Sequence, residues 1–313
     1  MKTAVSTVST VAYASGSSDV YVRPRWLDFV ELTKPRIGLM VLFTVAIGAL
    51  LAYPATLDLM QLLHALVGTA LVASGASALN QWLERHTDAQ MRRTENRPLP
   101  AGRLATAEVV IFGFALAIAG LAYMAITMTH PLAAIITGVT FVSYVFLYTP
   151  LKSKTTLNTL IGAVPGALPP VIGWTAMTGT LDRTALVLFL IVFFWQIPHF
   201  LAIAWMYRED YARAGLKMLP VVDPEGTATS RQMLLYALAL IPLSLLPTFV
   251  QGSSLMYAFG ALGLGVFFLR STWSFAALPT EARARKVLHA SLIYLPAILA
   301  LLVGERLIRY FLV

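Results

Sequence analysis

The chain has 313 residues, of which 58% are hydrophobic and only 12% charged, and its mean hydropathy is +0.74. A soluble globule carries about twice that share of charge, so the composition excludes one and points to a polytopic, all-α membrane protein. Cysteine is absent, which excludes disulfides, thiolate metal sites and cysteine catalysis; the net charge of +8 has to be read by position before nucleic acid is considered as a partner.

In chain order, residues 1–24 are expected to form a flexible tail rich in Ser, Thr, Val and Ala. They hold no apolar stretch long enough for a signal peptide and too little arginine for a transit peptide, which favours a bacterial inner membrane over a mitochondrial one. Residues 25–36 read as an amphipathic approach to the membrane, with Trp26 at headgroup depth. Residues 25–313 are expected to form one domain of nine spans, at 37–53, 61–80, 109–129, 131–148, 157–178, 185–206, 233–250, 255–269 and 287–308. Every Lys and Arg except Arg183, Arg306 and Arg309 falls on one side of these spans. That bias places the N-terminus and the four large connections in the cytoplasm or its topological equivalent. The positive charge is therefore a topology signal, and the bilayer rather than nucleic acid is the partner it implies.

The connection after the second span carries the chemistry. Asn80, Glu84 and Asp88 are spaced four apart; at ~100° per residue they fan over only ~80° of a helix and share one stripe. Arg92, Arg93, Arg97 and Arg103 follow at once. Oxygen ligands suited to a hard divalent cation beside clustered guanidinium groups suit a magnesium–diphosphate. A solvated loop obeying membrane topology explains the arginines but not the oxygen stripe. The connection after the sixth span repeats the pattern, with Glu209 and Asp210 before Arg213 and Lys217. Two four-helix halves plus a ninth helix, enclosing a cytoplasm-facing cavity, are the architecture this spacing predicts. In the fifth span Gly162, Pro165, Gly166, Pro169, Pro170 and Gly173 crowd together, serving either close helix packing or a kink that widens a cavity. In the sixth, Trp195-Gln-Ile-Pro-His199-Phe sets an imidazole about two turns inside the membrane. It is either a structural histidine bonded to a neighbouring helix or a substrate contact.

Taken together, Asn-x3-Glu-x3-Asp-x2-Met-x-Arg-Thr-x2-Arg-Pro-Leu-Pro from Asn80 to Pro100 resembles the UbiA superfamily of intramembrane prenyltransferases. Within it, the chain is similar to the branch that farnesylates protohaem IX. The resemblance extends through Thr33-Lys-Pro-Arg36, Tyr148-Thr-Pro-Leu-Lys152, Trp195-Gln-x-Pro-His199-Phe, Asp210-Tyr-x2-Ala-Gly215 and Met218-Leu-Pro220. It implies transfer of a farnesyl group from farnesyl diphosphate to a vinyl carbon of haem B, with addition of water. It also implies haem B as substrate rather than resident cofactor, and partners that handle haem or assemble oxidases. By position, Asn80, Glu84, Asp88 and Asp210 would serve Mg²⁺ and catalysis. Arg93, Arg97, Lys152 and Lys217 would take the diphosphate, and His199 would face the haem. The second motif departs from the wider superfamily, which has two aspartates four apart: positions 207 and 211 are both Tyr, and Glu209 is the one nearby substitute. A complete second magnesium site is thereby put in question. Two other readings remain at this point, a related enzyme acting on another aromatic or tetrapyrrole acceptor and an ion-coupled nine-helix transporter. Transporters place acidic residues near the midplane, whereas here they gather at one face.

Overall fold

The computed structural model describes residues 24–52, 57–250 and 252–312, so the expected N-terminal tail lies outside the described residues except for Pro24. Those residues are helical with no strand. Helix α1 (Arg25–Leu32) leads into α2 (Pro35–Leu50), α3 (Leu59–Leu83) and a single turn, α4 (Arg85–Asp88). After a loop come α5 (Thr106–Thr127), α6 (Pro131–Val142), a π-helical segment (Ser143–Tyr148), α7 (Thr149–Leu151), α8 (Asn158–Ala167) and α9 (Pro169–Thr178). The second half is built from α10 (Arg183–Met206), two short helices α11 (Arg208–Arg213) and α12 (Leu219–Val222), then α13 (Thr227–Val250), α14 (Leu255–Ala277) and α15 (Glu281–Leu312).

Among the described residues, eight helical spans are long and apolar enough to cross a membrane, and α1 with α2 supplies a ninth if that bent pair counts as one. Alone, the 16 residues of α2 reach about 24 Å, short of a ~30 Å core; α1 adds length across a 42° bend. The bend has a local cause. Pro35 disfavours the right-handed helical region for the residue before it, and Lys34 takes a left-handed conformation with φ 49° and ψ 60°. On the opposite membrane face, helix starts are capped by side chains. Asp58 accepts from the Met60 and Gln61 amides, and Asp182 from those of Thr184 and Ala185.

Large apolar side chains stay exposed across the outer faces, Ile126 at 83% and Phe249 at 81%, which is where lipid replaces core. Inside, α2 packs on α9, α3 on α5, and α10 against α8, α13 and α15. Small residues set these distances. A Cβ at Gly173 would overlap the Val45 carbonyl, one at Gly48 the Pro170 carbonyl, and one at Gly75 would meet the backbone of Gly113 and Ala117. Two expected spans are interrupted. The span expected at 131–148 winds into a π segment before Pro150, and the one expected at 157–178 breaks at Leu168, because Pro169 and Pro170 have no N–H to continue the ladder. Gln196 of α10 crosses to the Ala163 carbonyl at 2.7 Å through the room left by Gly166. Close packing is thus the main duty of the Gly/Pro cluster.

Gly173→Ala should cost about 1–3 kcal/mol through overpacking and lower the thermal midpoint in detergent, whereas Gly263→Ala, with open space around it, should leave it unchanged or slightly raised. Equal midpoints for the two variants would contradict the packing argument.

Candidate active site

The stripe of oxygens survives, but not on one continuous helix. Helix α3 stops at Leu83, Glu84 sits at the break with φ −90° and ψ 1°, and α4 begins at Arg85. The four-residue register still carries across: Glu84 N–H donates to Asn80 O at 3.0 Å, and Asp88 N–H to Glu84 O at 2.8 Å.

Each of the three side chains meets a cation from another segment. Lys34 Nζ donates to Asn80 Oδ1 at 2.9 Å, Lys152 Nζ to Glu84 Oε1 at 2.6 Å, and Arg97 Nη1 to Asp88 Oδ2 at 2.6 Å. The left-handed turn at Lys34 aims its ammonium inward, and such a conformation costs ~1–3 kcal/mol at a non-glycine residue. It is the one non-glycine residue with positive φ among the described residues. The π segment delivers Lys152 with its ammonium over the Tyr148 ring, 4.7 Å from the centroid, and Thr149 accepts from the Asn80 amide at 3.2 Å. Burial opposes charge on Lys34, Glu84, Lys152 and Asp88, with different outcomes: at Lys34 it wins, helped by the nearby Arg97, and the pKa falls to about 7. At Glu84 it is outweighed by Lys152 and Lys34, which hold the carboxyl below its usual range. At Lys152 it is outweighed by Glu84 and the tyrosines, so the ammonium stays protonated well above the usual lysine range. At Asp88 burial wins over Arg97 and the carboxyl is pushed up.

Asp88 Oδ1 is buried with no hydrogen-bond partner, an omission worth about 1–3 kcal/mol. Together with an amide oxygen and a second carboxylate, that orphaned oxygen fits a hard divalent cation. The described residues contain no group of three or more His, Cys, Asp or Glu able to hold a metal, so any such ion would share the site with the amide of Asn80. A cleft of about 140 Å³ opens beside the Glu84–Lys152 pair, lined by Thr87, Thr149, Ser153 and Leu216 among others. It is smaller than the ~300–1,000 Å³ typical of ligand pockets.

The second loop comes to the first through aromatic and apolar contacts, not through carboxylates. Arg93 lies over Tyr207, 4.9 Å from its centroid, and donates to the Tyr211 hydroxyl at 3.4 Å. The two tyrosines that stand in the motif therefore receive a guanidinium. Met91 packs with Ala204, Ala214, Leu216 and Met218. Asp210 is paired with Arg213 on its own helix, and Glu209 is exposed; neither is brought to Glu84 or Asp88. Lys217 is exposed, but its amide donates to Lys152 O at 2.9 Å, and Asn158 ties both turns by donating to Lys217 O at 3.0 Å. Arg103 anchors the first loop to α1 by donating to Asp28 at 2.8 Å and Glu31 at 3.1 Å. His199 bonds Ser291 of α15 at 2.7 Å, the helix-to-helix contact expected of a structural histidine. Sequence reasoning assigned no site role to Lys34; its placement before Pro35, at the mouth of an apolar span, was the available sign.

Residues 41–295 match the UbiA prenyltransferase family. The chain belongs to that family. UbiA relatives similar to it include a protoheme IX farnesyltransferase of Solibacter usitatus (strain Ellin6076), 49% identical over 288 residues that span 89% of this chain and 98% of that protein. Another, from Opitutus terrae, also named protoheme IX farnesyltransferase, is 42% identical over 284 residues, covering 90% of this chain and 96% of the relative. Among solved structures, a digeranylgeranylglyceryl phosphate synthase superposes with a TM-score of 0.76 at 17% identity over 90% of this chain and 98% of that one. A UbiA homologue from Archaeoglobus fulgidus bound to DMAPP and Mg²⁺ gives 0.62 at 16% identity, over 88% and 99%. These structural likenesses establish the UbiA fold, in agreement with the all-α bundle read from sequence.

A raised carboxyl pKa in the fold means that Asp88 contributes stability at low pH and loses it as pH rises through the folded pKa. Asp88→Asn cannot ionise, so its thermal midpoint should gain on wild type as pH rises above about 4, the ordinary aspartate value. A constant difference above that pH would show that burial does not govern Asp88.

Proposed function

We propose that this enzyme transfers a farnesyl group from farnesyl diphosphate to a vinyl group of protohaem IX, with addition of water, giving haem O and diphosphate. The observation that carries this reading is the near-full-length similarity to proteins named protoheme IX farnesyltransferase, 98% of one of them at 49% identity. In the reaction the allylic carbon–oxygen bond breaks and diphosphate leaves with the electron pair. The allylic carbon joins the terminal vinyl carbon, water adds its oxygen to the other vinyl carbon, and a proton is released.

The cluster at the end of α3 is suited to the first step. Asn80, Glu84 and Asp88 would hold Mg²⁺, which when bound supplies positive charge to the departing diphosphate. Lys34, Lys152 and Arg97 already lie within hydrogen-bond reach of these oxygens and stand where diphosphate oxygens need cations. Arg93 and Lys217 extend that positive wall from the neighbouring loops. Asp210 supplies the carboxylate of the second loop, and its pairing with Arg213 speaks against a full second metal site there. His199, further along α10, faces the haem. A bundle embedded in lipid keeps water from the allylic cation until the carbon–carbon bond has formed. The protein is a multi-pass membrane protein; the distribution of Lys and Arg supports a cytoplasmic N-terminus, and we assign it to a bacterial inner membrane, working with partners that handle haem or assemble oxidases.

Membranes containing the protein, supplied with haem B, farnesyl diphosphate and Mg²⁺, should yield a porphyrin heavier by one farnesyl group and one hydroxyl. Asp88→Asn should lower that yield by about 10²-fold or more, and a product of unchanged mass would sink the reading. In the same assay Lys34→Gly should raise the KM for farnesyl diphosphate about tenfold and leave that for haem B little changed. Its thermal midpoint should hold or rise, because glycine adopts positive φ without strain. A KM change confined to haem would remove Lys34 from the diphosphate site.

A further inference from the structure

One imidazole in the membrane is held more firmly than a simple helix-to-helix bond requires. His199 sits on a half-exposed stripe of α10 with Trp195, Ile203 and Met206, spaced so that all share one face running to the cytoplasmic end. Across the seam is Ser291 of α15, fully buried. The Ser291 hydroxyl donates to the Leu288 carbonyl at 2.6 Å. A hydroxyl has one proton to give, so toward His199 it can only accept, and Nδ1, 2.7 Å away, must carry a hydrogen. Trp195 completes the clamp: its indole N–H donates to the Ser291 carbonyl at 2.8 Å, and its ring stacks on the imidazole with centroids 4.9 Å apart at 27°. Ring plane, ring position and tautomer are thus all set from one residue of α15. A neutral imidazole protonated at Nδ1 leaves Nε2 as a bare lone pair, and Nε2 makes no hydrogen bond among the described residues.

We propose that Ser291 is a positioning residue that holds His199 as its Nδ1–H tautomer, so that Nε2 serves as a nitrogen ligand to the iron of haem B during prenyl transfer. This rests on the reading above that haem B is the acceptor and that His199 faces it. Histidine ligands are oriented in this way by an outer partner on the other ring nitrogen, and loss of that partner costs about 10–100-fold in affinity. Ligation at a fixed iron would also fix where the vinyl groups lie relative to the diphosphate site. The seam explains why a histidine is needed: an asparagine could bridge α10 and α15, but only imidazole offers a second nitrogen pointing elsewhere.

The tautomer can be read without mutation of the clamp. In full-length protein labelled with ¹⁵N-histidine and free of haem, the His199 resonance, assigned by its loss in His199→Gln, should show an unprotonated, pyridine-type Nε2. A protonated Nε2 overturns the proposal. The second test titrates haem B into the purified protein and records its visible spectrum, thermal midpoint and binding of farnesyl diphosphate with Mg²⁺. His199→Ala should lose the spectrum of a nitrogen-ligated haem. Ser291→Ala should bind haem about tenfold more weakly with a shifted spectrum, Ser291→Thr should restore both, and farnesyl diphosphate binding should stay as in wild type throughout. If His199→Ala changes the haem spectrum and Ser291→Ala does not, the positioning role fails while the assignment of His199 stands. If His199→Ala leaves spectrum and affinity as in wild type, the assignment of His199 itself falls. Lowered stability with an unshifted spectrum in Ser291→Ala reduces the seam to helix packing and also overturns the proposal.

Discussion

Three oxygen side chains at the end of one helix, each held by a basic side chain from a different part of the chain, form the constraint around which this end of the bundle is arranged. Ion pairs this far from water are costly to assemble and costlier to break, because a stranded partner keeps its desolvation penalty. The Glu84–Lys152 ion pair therefore fixes the end of α3 against the turn after α7, and a hydrogen bond from Lys34 to Asn80 ties it to the start of α2. The bend between α1 and α2, the left-handed Lys34 and the π segment ahead of Lys152 all deliver those two ammonium groups. Local irregularity is concentrated where charge has to be aimed, and the remaining spans are regular or broken only by proline.

The cluster is balanced yet incomplete. Glu84 and Lys152 stabilise each other's charge, whereas burial leaves Asp88 reluctant to ionise and one of its oxygens without a partner. Such a site is poised for positive charge at Asp88 and for anions near Lys34, Lys152 and Arg97. A divalent cation with a diphosphate satisfies both demands at once. The second loop answers differently from the first. Where two aspartates would recruit metal, Tyr207 and Tyr211 receive Arg93, so the two loops are held together by a guanidinium on aromatic faces. Charge at this end of the molecule is asymmetric between the halves, although the loops occupy matching places in the chain.

Deeper in the membrane the same chain solves a packing problem. Helix association in lipid has no hydrophobic drive of its own, so close approach and interhelical hydrogen bonds take over. The Gly48–Pro170 and Gly173–Val45 contacts seat α9 on α2, Gln196 reaches α8, and the Trp195–His199–Ser291 seam joins α10 to α15. The imidazole at that seam lies on a helix packed on several sides.

Much of this was legible in the residues themselves. Uncharged runs long enough for lipid declare the spans, and Asn80, Glu84 and Asp88 at a four-residue spacing declare an oxygen stripe. These follow from periodicity and transfer energy, which act locally along the chain. What only the tertiary structure decided is the pairing. That Lys34 serves Asn80, that Lys152 serves Glu84, that Arg93 rests on tyrosines and that Asp210 turns to Arg213 depend on which loops meet in space. The break at Glu84 was equally out of reach, whereas the left-handed turn at Lys34 had a local sign in the proline that follows it. Coulomb and hydrogen-bond energies fall off over a few ångströms, so contacts between residues 46 or 68 positions apart exist only once the bundle has brought them together.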